Sequence, residues 1–448
     1  MNKLTARKIF LLWLAWVIIL IGFQALATAR IQPLWPDAAQ SWTKDYTAPA
    51  VYQKGHPYLL EPFMNNQVAW DSEYYLGIAL GGYDNPCMPV INPTVKFGYT
   101  VRCTNPNIVV PPDNNGKLWS QSYAFFPLYP IMIRLFSLPL SLFGMNPIAT
   151  ATLAGVIVSA LGTLLAMLSL YDLTYETLGD EGGMRAVFYL LIFPTGFFLA
   201  QVYTEGLFVG LAFTSLAMLK RKHWVYAALL ASVATLTRAV GIALFIPMVI
   251  TWLRTNEWYA LDMEWRQLLY KRIPSTPLWH AFLAFAPLIV FLIWKFSYFG
   301  LAFDYVENNY FGRTLSIGAS FYVWVHSSYE MILGFLNATA VSRDLFVNPQ
   351  HSAYYFMETV GIVVGLIAIL RCLKTDPEVA WFSLAVYLIS FASGPSQGMY
   401  RYILAAPALF ITLSRWGKNP TFDRIWTLFS LLLMGLGAML YALNFWVG

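Results

Sequence analysis

The chain has 448 residues, 58% of them hydrophobic and only 11% charged, and its mean hydropathy is +0.55. A water-soluble globule of this length does not carry so few charges, so the composition excludes a soluble enzyme and points to an all-α membrane protein with many spans. The net charge of +5 is scattered in small clusters, with no basic stripe to suggest a nucleic-acid partner, and three cysteines without CxxC spacing and five isolated histidines offer no thiolate or imidazole metal site.

A helix rises about 1.5 Å per residue, so a hydrocarbon layer of about 30 Å needs roughly twenty apolar residues. On that ruler eleven spans are predicted, near 9–29, 148–171, 185–200, 203–219, 224–239, 240–254, 278–299, 353–371, 379–393, 401–415 and 425–446. The first follows Lys3, Arg7 and Lys8 and ends in a stretch resembling a cleavage site, but its length marks it as a retained span. Eleven spans place Lys3/Arg7/Lys8, Arg185, Lys220-Arg221-Lys222, Arg254 to Arg272, Arg371/Lys374 and Arg415/Lys418/Arg424 on one side, the cytoplasmic one by the positive-inside rule. The N-terminus is then cytoplasmic, and the loops 30–121 and 300–352 face outward. Residues 122–144, interrupted by prolines, are expected to form an embedded or re-entrant helix, and 255–277 an amphipathic helix on the cytoplasmic face. With no internal repeat or low-complexity tract, a single membrane domain over 1–448 is expected.

In the first outer loop, Gln67-Val68-Ala69-Trp70-Asp71-Ser72-Glu73-Tyr74-Tyr75 places two carboxylates among aromatic residues. A carboxylate open to water at a membrane surface can take a proton from a hydroxyl while the bilayer presents a lipid-borne co-substrate, which makes Asp71 a candidate general base. The same pattern also fits an interfacial aromatic belt with Asp71 and Glu73 solvated above it. Cys87 and Cys103 share this loop; an oxidising compartment would permit a disulfide between them, two free thiols being the alternative.

Ionisable residues at the edges of spans are expensive in lipid, so they line cavities or find partners. Glu205, Arg238, Arg134 and Arg401 qualify, and all but Arg134 map to the outer side with Asp71. The planar donor fork of arginine suits phosphate, so Arg238 and Arg401 are candidates for holding the phosphate of a lipid-linked donor. The alternatives are that Arg238 pairs with Glu205 and that Arg401 caps carbonyls or snorkels to headgroups. Gly394 and Gly398, flanking Pro395 and Gln397, predict a tight turn that brings backbone close to a ligand or another helix. Walker, Rossmann and GxSxG patterns are missing from plausible contexts, so no cofactor is expected.

Five blocks in order resemble the PIG-V (GPI mannosyltransferase 2-like) family of membrane mannosyltransferases. They are Trp70-Asp71-Ser72 with Tyr74; Ala124-Phe125-Phe126-Pro127-Leu128-Tyr129-Pro130; Phe193-Pro194 with Tyr203-Thr204-Glu205-Gly206-Leu207-Phe208; Thr237-Arg238-Ala239-Val240-Gly241; and Tyr400-Arg401-Tyr402 before Pro407. The resemblance implies a GT-C-type fold and inverting transfer of a sugar, usually mannose, from a polyprenyl-phosphate donor on the non-cytoplasmic face. It implies Asp71 as catalytic base and no metal. Trp70, Glu73, Tyr203, Glu205, Gln397 and Tyr400 are then expected around the sugar or the acceptor, which would be a glycan, glycolipid or protein. The other partners are the donor and membrane lipids. The plasma membrane of a bacterium or archaeon is expected in preference to the ER, where Asn337-Ala338-Thr339 would be a glycosylation triplet. Two rival readings use the same charges: a flippase of lipid-linked sugars, whose inverted repeats are not visible here, and a non-catalytic subunit of the same fold.

Overall fold

The computed structural model describes residues 2–32, 56–92, 98–100, 117–255, 279–311, 316–336, 349–393 and 398–448. The expected amphipathic helix at 255–277, the triplet at Asn337, and the residues Cys103 and Gln397 lie outside this set, apart from Thr255 itself.

In chain order the helices are α1 Lys3–Arg30, α2 Asp71–Gly81, α3 Leu128–Leu140, α4 Pro147–Ile192, α5 Thr204–Lys220, α6 Trp224–Thr235, α7 Phe245–Thr255 and α8 Trp279–Lys295. They continue as α9 Tyr298–Val306, α10 Ile317–Leu336, α11 Pro349–Cys372, α12 Pro377–Ala392, α13 Met399–Tyr402, α14 Pro407–Trp416 and α15 Pro420–Ala442. A short antiparallel hairpin, β1 Val90–Asn92 against β2 Gly98–Thr100, follows α2 with Val90 opposite Thr100. The architecture is all-α, and its apolar helices make the chain an integral membrane protein.

Among the described residues four helices are long and apolar enough to cross a membrane: Lys3–Arg30, Pro147–Ile192, Ser352–Cys372 and Pro420–Ala442. A fifth appears if Trp279–Lys295 and Tyr298–Phe311, bent by 76°, form one span. The eleven expected spans thus exceed the full-length helices, for local reasons. The expected spans at 148–171 and 185–200 share the single helical run of α4, kinked at Gly179 with φ 70°. Those at 224–239 and 240–254 shorten to α6 and α7, separated by the 3-10 turn Ala239–Leu244. The span expected at 401–415 is broken after one turn and resumes at Pro407. The described part of 300–352, expected as a loop, is largely α9 and the 20-residue α10. Residues 122–144 give a 3-10 turn, Gln121–Ala124, followed by α3, whose 13 residues are too short to cross the layer upright. Ile131, Leu135, Leu138 and Leu142 are exposed along one side of this segment, while Tyr129 and Ile133 are buried on the other.

The centre is the α4–α5 crossing, where small residues let two backbones approach. A Cβ on Gly162 would come within 2.4 Å of the Gly206 carbonyl oxygen, one on Gly206 within 2.3 Å of the Ser159 carbonyl oxygen, and one on Gly210 within 2.3 Å of the Gly162 carbonyl oxygen. Ser159 Oγ also donates to the Tyr203 carbonyl at 2.9 Å. Gly206→Ala is therefore expected to force the helices apart at a cost of about 1–3 kcal/mol. A thermal-unfolding midpoint equal to that of the wild type would refute this close contact.

The ion pairs fall at two ends. Arg221–Asp172, Lys220–Glu176, Arg254–Glu378, Arg415–Asp376 and Arg185–Asp423 gather the bases assigned by sequence to the cytoplasmic face. Glu205 lies in the first turn of the 17-residue α5 and Lys220 closes it, a separation of about 22 Å at about 1.5 Å per residue. The charges around Glu205 therefore form a separate group at the opposite end of that helix.

Candidate active site

Asp71 is the first residue of α2, where the exposed N–H groups of the helix start favour a carboxylate. The preceding Trp70 adopts φ 55° and ψ −112°, a strained conformation for a bulky residue. It is held there by its indole N–H, which donates to the Phe445 carbonyl at 3.3 Å, and by an edge-to-face contact with Trp446 at 4.8 Å. The Asp71 amide donates to the Tyr203 hydroxyl at 3.2 Å, and Ser72 Oγ shares a 2.9 Å hydrogen bond with the Tyr441 hydroxyl. These contacts tie α2 to the start of α5 and the end of α15.

Four charged side chains from remote parts of the chain meet beside Tyr203. Arg401 Nη1 lies 3.4 Å from Asp71 Oδ2, Arg401 Nε lies 3.6 Å from Glu205 Oε1, and Arg238 Nη1 ion-pairs closely with that same Glu205 oxygen. Side-chain exposure sorts their roles: 32% for Asp71 and 20% for Arg238, against 5% for Arg401 and 3% for Glu205. The two most exposed members can meet an incoming molecule, and the buried pair connects them. The Arg401 guanidinium carbon sits 5.2 Å from the ring centres of Phe198 and Tyr203 and 5.0 Å from that of Tyr402, an aromatic cage that fixes the cation. The Arg238 guanidinium carbon also lies 5.0 Å from the ring centre of Tyr402, so the two arginines share this ring. Two polar atoms remain without a hydrogen-bond partner in this buried centre, Glu205 Oε2 and Arg401 Nε.

The Ala124–Pro130 block forms an aromatic wall next to α2. Phe125 stacks on Tyr74 at 4.5 Å and meets Tyr75 edge-on at 5.2 Å, and Tyr75 in turn meets Tyr129 at 5.1 Å. The Leu128 amide donates to the Leu236 carbonyl at 3.0 Å, joining this wall to the turn that carries Arg238.

Two expected sugar or acceptor residues are engaged elsewhere. Glu73 is buried and accepts from the Leu59 amide at 2.7 Å, and the Tyr400 hydroxyl donates to the Val447 carbonyl. Arg134 is exposed on α3, apart from the cluster. Cys87 is disulfide-bonded and Cys372 is a free buried thiol; the expected partner Cys103 lies outside the described residues. Sequence reading also missed Glu358, a buried carboxylate in the middle of α11 that accepts from the Met399 amide at 2.8 Å and the Tyr400 amide at 3.4 Å. The signal was present, since an acid inside an apolar run is itself a functional pointer.

On α2, burial pushes the Glu73 carboxyl from 4.5 up to about 8, against the opposing pull of the Leu59 and Tyr58 amides. A group whose folded-state proton affinity is raised contributes stability below its ordinary range, and that contribution is lost as pH rises through about 8. The unfolding midpoint is expected to fall between pH 5 and about 8 and to fall less in Glu73→Gln. Identical pH slopes for the two proteins would contradict the burial argument.

Helices and charge cluster together define a membrane-embedded, all-α protein in which two carboxylates and two arginines meet at the start of α5. Residues 109–393, more than half of the chain, match the family described as Mannosyltransferase (PIG-V), and the chain belongs to that family of glycosyltransferases. The matched region includes Glu205 and Arg238; Asp71 precedes it and Arg401 follows it. Over 132 residues the chain is 30% identical to GPI mannosyltransferase 2 of Schizosaccharomyces pombe, a match covering 29% of this chain and 27% of that protein. The chain thus spans little more than a quarter of that curated relative. Looser likenesses link it to ArnT from Cupriavidus metallidurans bound to undecaprenyl phosphate, with a TM-score of 0.44 and 14% identity over 87% of this chain and 74% of that one. The oligosaccharyltransferase AglB of Archaeoglobus fulgidus, in complex with an inhibitory peptide and a dolichol-phosphate, gives 0.39 and 13% over 97% of this chain and 56% of that one.

Proposed function

We propose that this crevice transfers mannose, or a similar hexose, from a polyprenyl-phosphate-linked donor to an acceptor hydroxyl with inversion. Membership of the mannosyltransferase family supports the sugar. The observation that carries the site assignment is a part-exposed carboxylate, Asp71, 3.4 Å from a buried guanidinium, Arg401, whose Nε has no hydrogen-bond partner. The acceptor oxygen attacks the anomeric carbon while its proton passes to Asp71. The carbon–oxygen bond to phosphate breaks, and the electron pair leaves on the phosphate oxygen. Arg401, with Arg238 as its outer neighbour, receives that developing charge as fixed donors in a water-poor site. A phosphate arriving beside Arg401 also competes with Asp71 for the guanidinium and leaves the carboxylate free to take the proton. Tyr203 holds the start of α2 in place through the Asp71 amide.

Glu205 and its partners lie at the end of α5 opposite the paired bases near Lys220, which under the positive-inside rule supports the non-cytoplasmic face for this chemistry. The test is to place the purified protein in liposomes with polyprenyl-phosphate-mannose and measure released polyprenyl phosphate, with and without an acceptor alcohol. Release that depends on Asp71 is expected. Movement of labelled donor between leaflets with no release would instead establish a flippase.

A further inference from the structure

Glu358 is a buried carboxylate that the transfer step above does not use. It is 1% exposed and sits in the middle of α11, in the apolar stretch Ser352–Cys372. Its oxygens collect one group of donors from a single place. The amides of Gly398, Met399 and Tyr400 all point at it, the last two at 2.8 and 3.4 Å, and the Tyr354 hydroxyl donates to Oε1 at 2.8 Å. These three amides are the opening N–H groups of the one-turn helix α13, which has no other cap and begins after Gly398 at φ 80°. An ionised carboxylate offers about four acceptor sites, so it can satisfy this whole set.

Arg401 belongs to that same turn, its amide donating to the Gly398 carbonyl at 3.0 Å. The turn has little freedom to relax. A Cβ on Gly361, one turn along α11 from Glu358, would fall 2.9 Å from the Tyr400 Cα, and Thr195 Oγ1 donates to the Tyr400 carbonyl at 2.9 Å. The turn therefore faces Glu358 with its N–H groups and Asp71 and Glu205 with the Arg401 guanidinium.

We propose that Glu358 is a positioning residue: it sets the turn that aims Arg401 at the donor phosphate, and so governs donor recognition without touching substrate. The proposal rests on the assignment of Arg401 to the phosphate. In Glu358→Gln one acceptor oxygen becomes an NH2 group facing backbone N–H groups, so the turn must shift and Arg401 with it. Glu358→Asp keeps the acceptors on a shorter arm.

The experiment uses the full chain in liposomes and measures both equilibrium binding of polyprenyl phosphate and transfer from polyprenyl-phosphate-mannose. A wild type that neither binds nor transfers would defeat the functional assignment itself. Given an active wild type, Glu358→Gln is expected to raise the donor KM about tenfold or more and to lower kcat as well, because Arg401 also meets the charge that develops on the phosphate, and Glu358→Asp to recover part of both losses. Glu358→Gln combined with Arg401→Ala is expected to bind polyprenyl phosphate no worse than Arg401→Ala alone, because both changes act through one guanidinium. Additive losses, or a KM unchanged in folded Glu358→Gln, would overturn the proposal. Should Glu358→Gln fail to fold, Tyr354→Phe removes one of the same hydrogen bonds, and its donor KM is read instead: a rise of about threefold supports the proposal and an unchanged value overturns it.

Discussion

Asp71→Asn is expected to lower the transfer rate at saturating donor by about a thousandfold while leaving folding and donor binding intact. A positioned general base contributes about 10²–10⁴ in rate, and asparagine has no comparable affinity for a proton. The substitution keeps the side-chain volume and the backbone amide that donates to Tyr203. It also removes the anion facing Arg401 at 3.4 Å, so polyprenyl phosphate is expected to bind the variant at least as tightly as the wild type. Released polyprenyl phosphate, counted against binding in the same liposomes, checks both halves. Wild-type turnover in the folded variant would remove Asp71 from the chemistry.

Glu205→Ala is expected to damage the fold more than any other single change among Asp71, Glu205, Arg238 and Arg401. Glu205 is 3% exposed and serves two arginines at once, one of them, Arg401, only 5% exposed. Its loss leaves the buried Arg401 guanidinium with Asp71 at 3.4 Å and the neutral Tyr402 hydroxyl at 3.3 Å, and breaking such a buried arrangement from one side costs about 3–5 kcal/mol. Glu205→Gln retains an acceptor oxygen and should fall between alanine and wild type. Thermal unfolding in lipid nanodiscs orders the three proteins; an alanine variant as stable as the wild type would mean that the two arginines are satisfied by other means.

Glu205, Arg238 and Arg401 stood out in the chain because lipid makes a charge at a span edge conspicuous, and the span count put Asp71, in the loop 30–121, on the same side; the structure brings the four together. The Arg238–Glu205 pair, held as an alternative to phosphate binding, is present in the structure, and the same geometry leaves Arg238 part-exposed beside Arg401. Fold class was legible for the same reason, since apolar composition over this length admits few architectures. The helix lengths were not. A hydropathy ruler cannot register the left-handed φ of Gly179, which turns two expected spans into one kinked run, nor the 3-10 turn that shortens the spans on either side of Arg238. The oxygen atoms of Glu73 and Tyr400 meet backbone groups of Leu59 and Val447, contacts that exist only after the chain has folded and that no sequence pattern shows. Glu358 was passed over because it lies within a span instead of at its edge, and its partners come from a turn some forty residues later.

The pairing of Asp71 with Arg401 joins positions 330 residues apart. At a synthesis rate of about 5–20 residues per second, the ribosome delivers the acid roughly 15 to 65 seconds before its base. During that interval the newly inserted first helices carry an unneutralised carboxylate at the bilayer edge, and Trp70 waits even longer for Phe445 and Trp446. The cluster of Asp71, Glu205, Arg238 and Arg401 is thus among the last parts of the molecule to close, so a chain cut short before residue 401 would sit in the membrane without it assembled, a natural substrate for quality control.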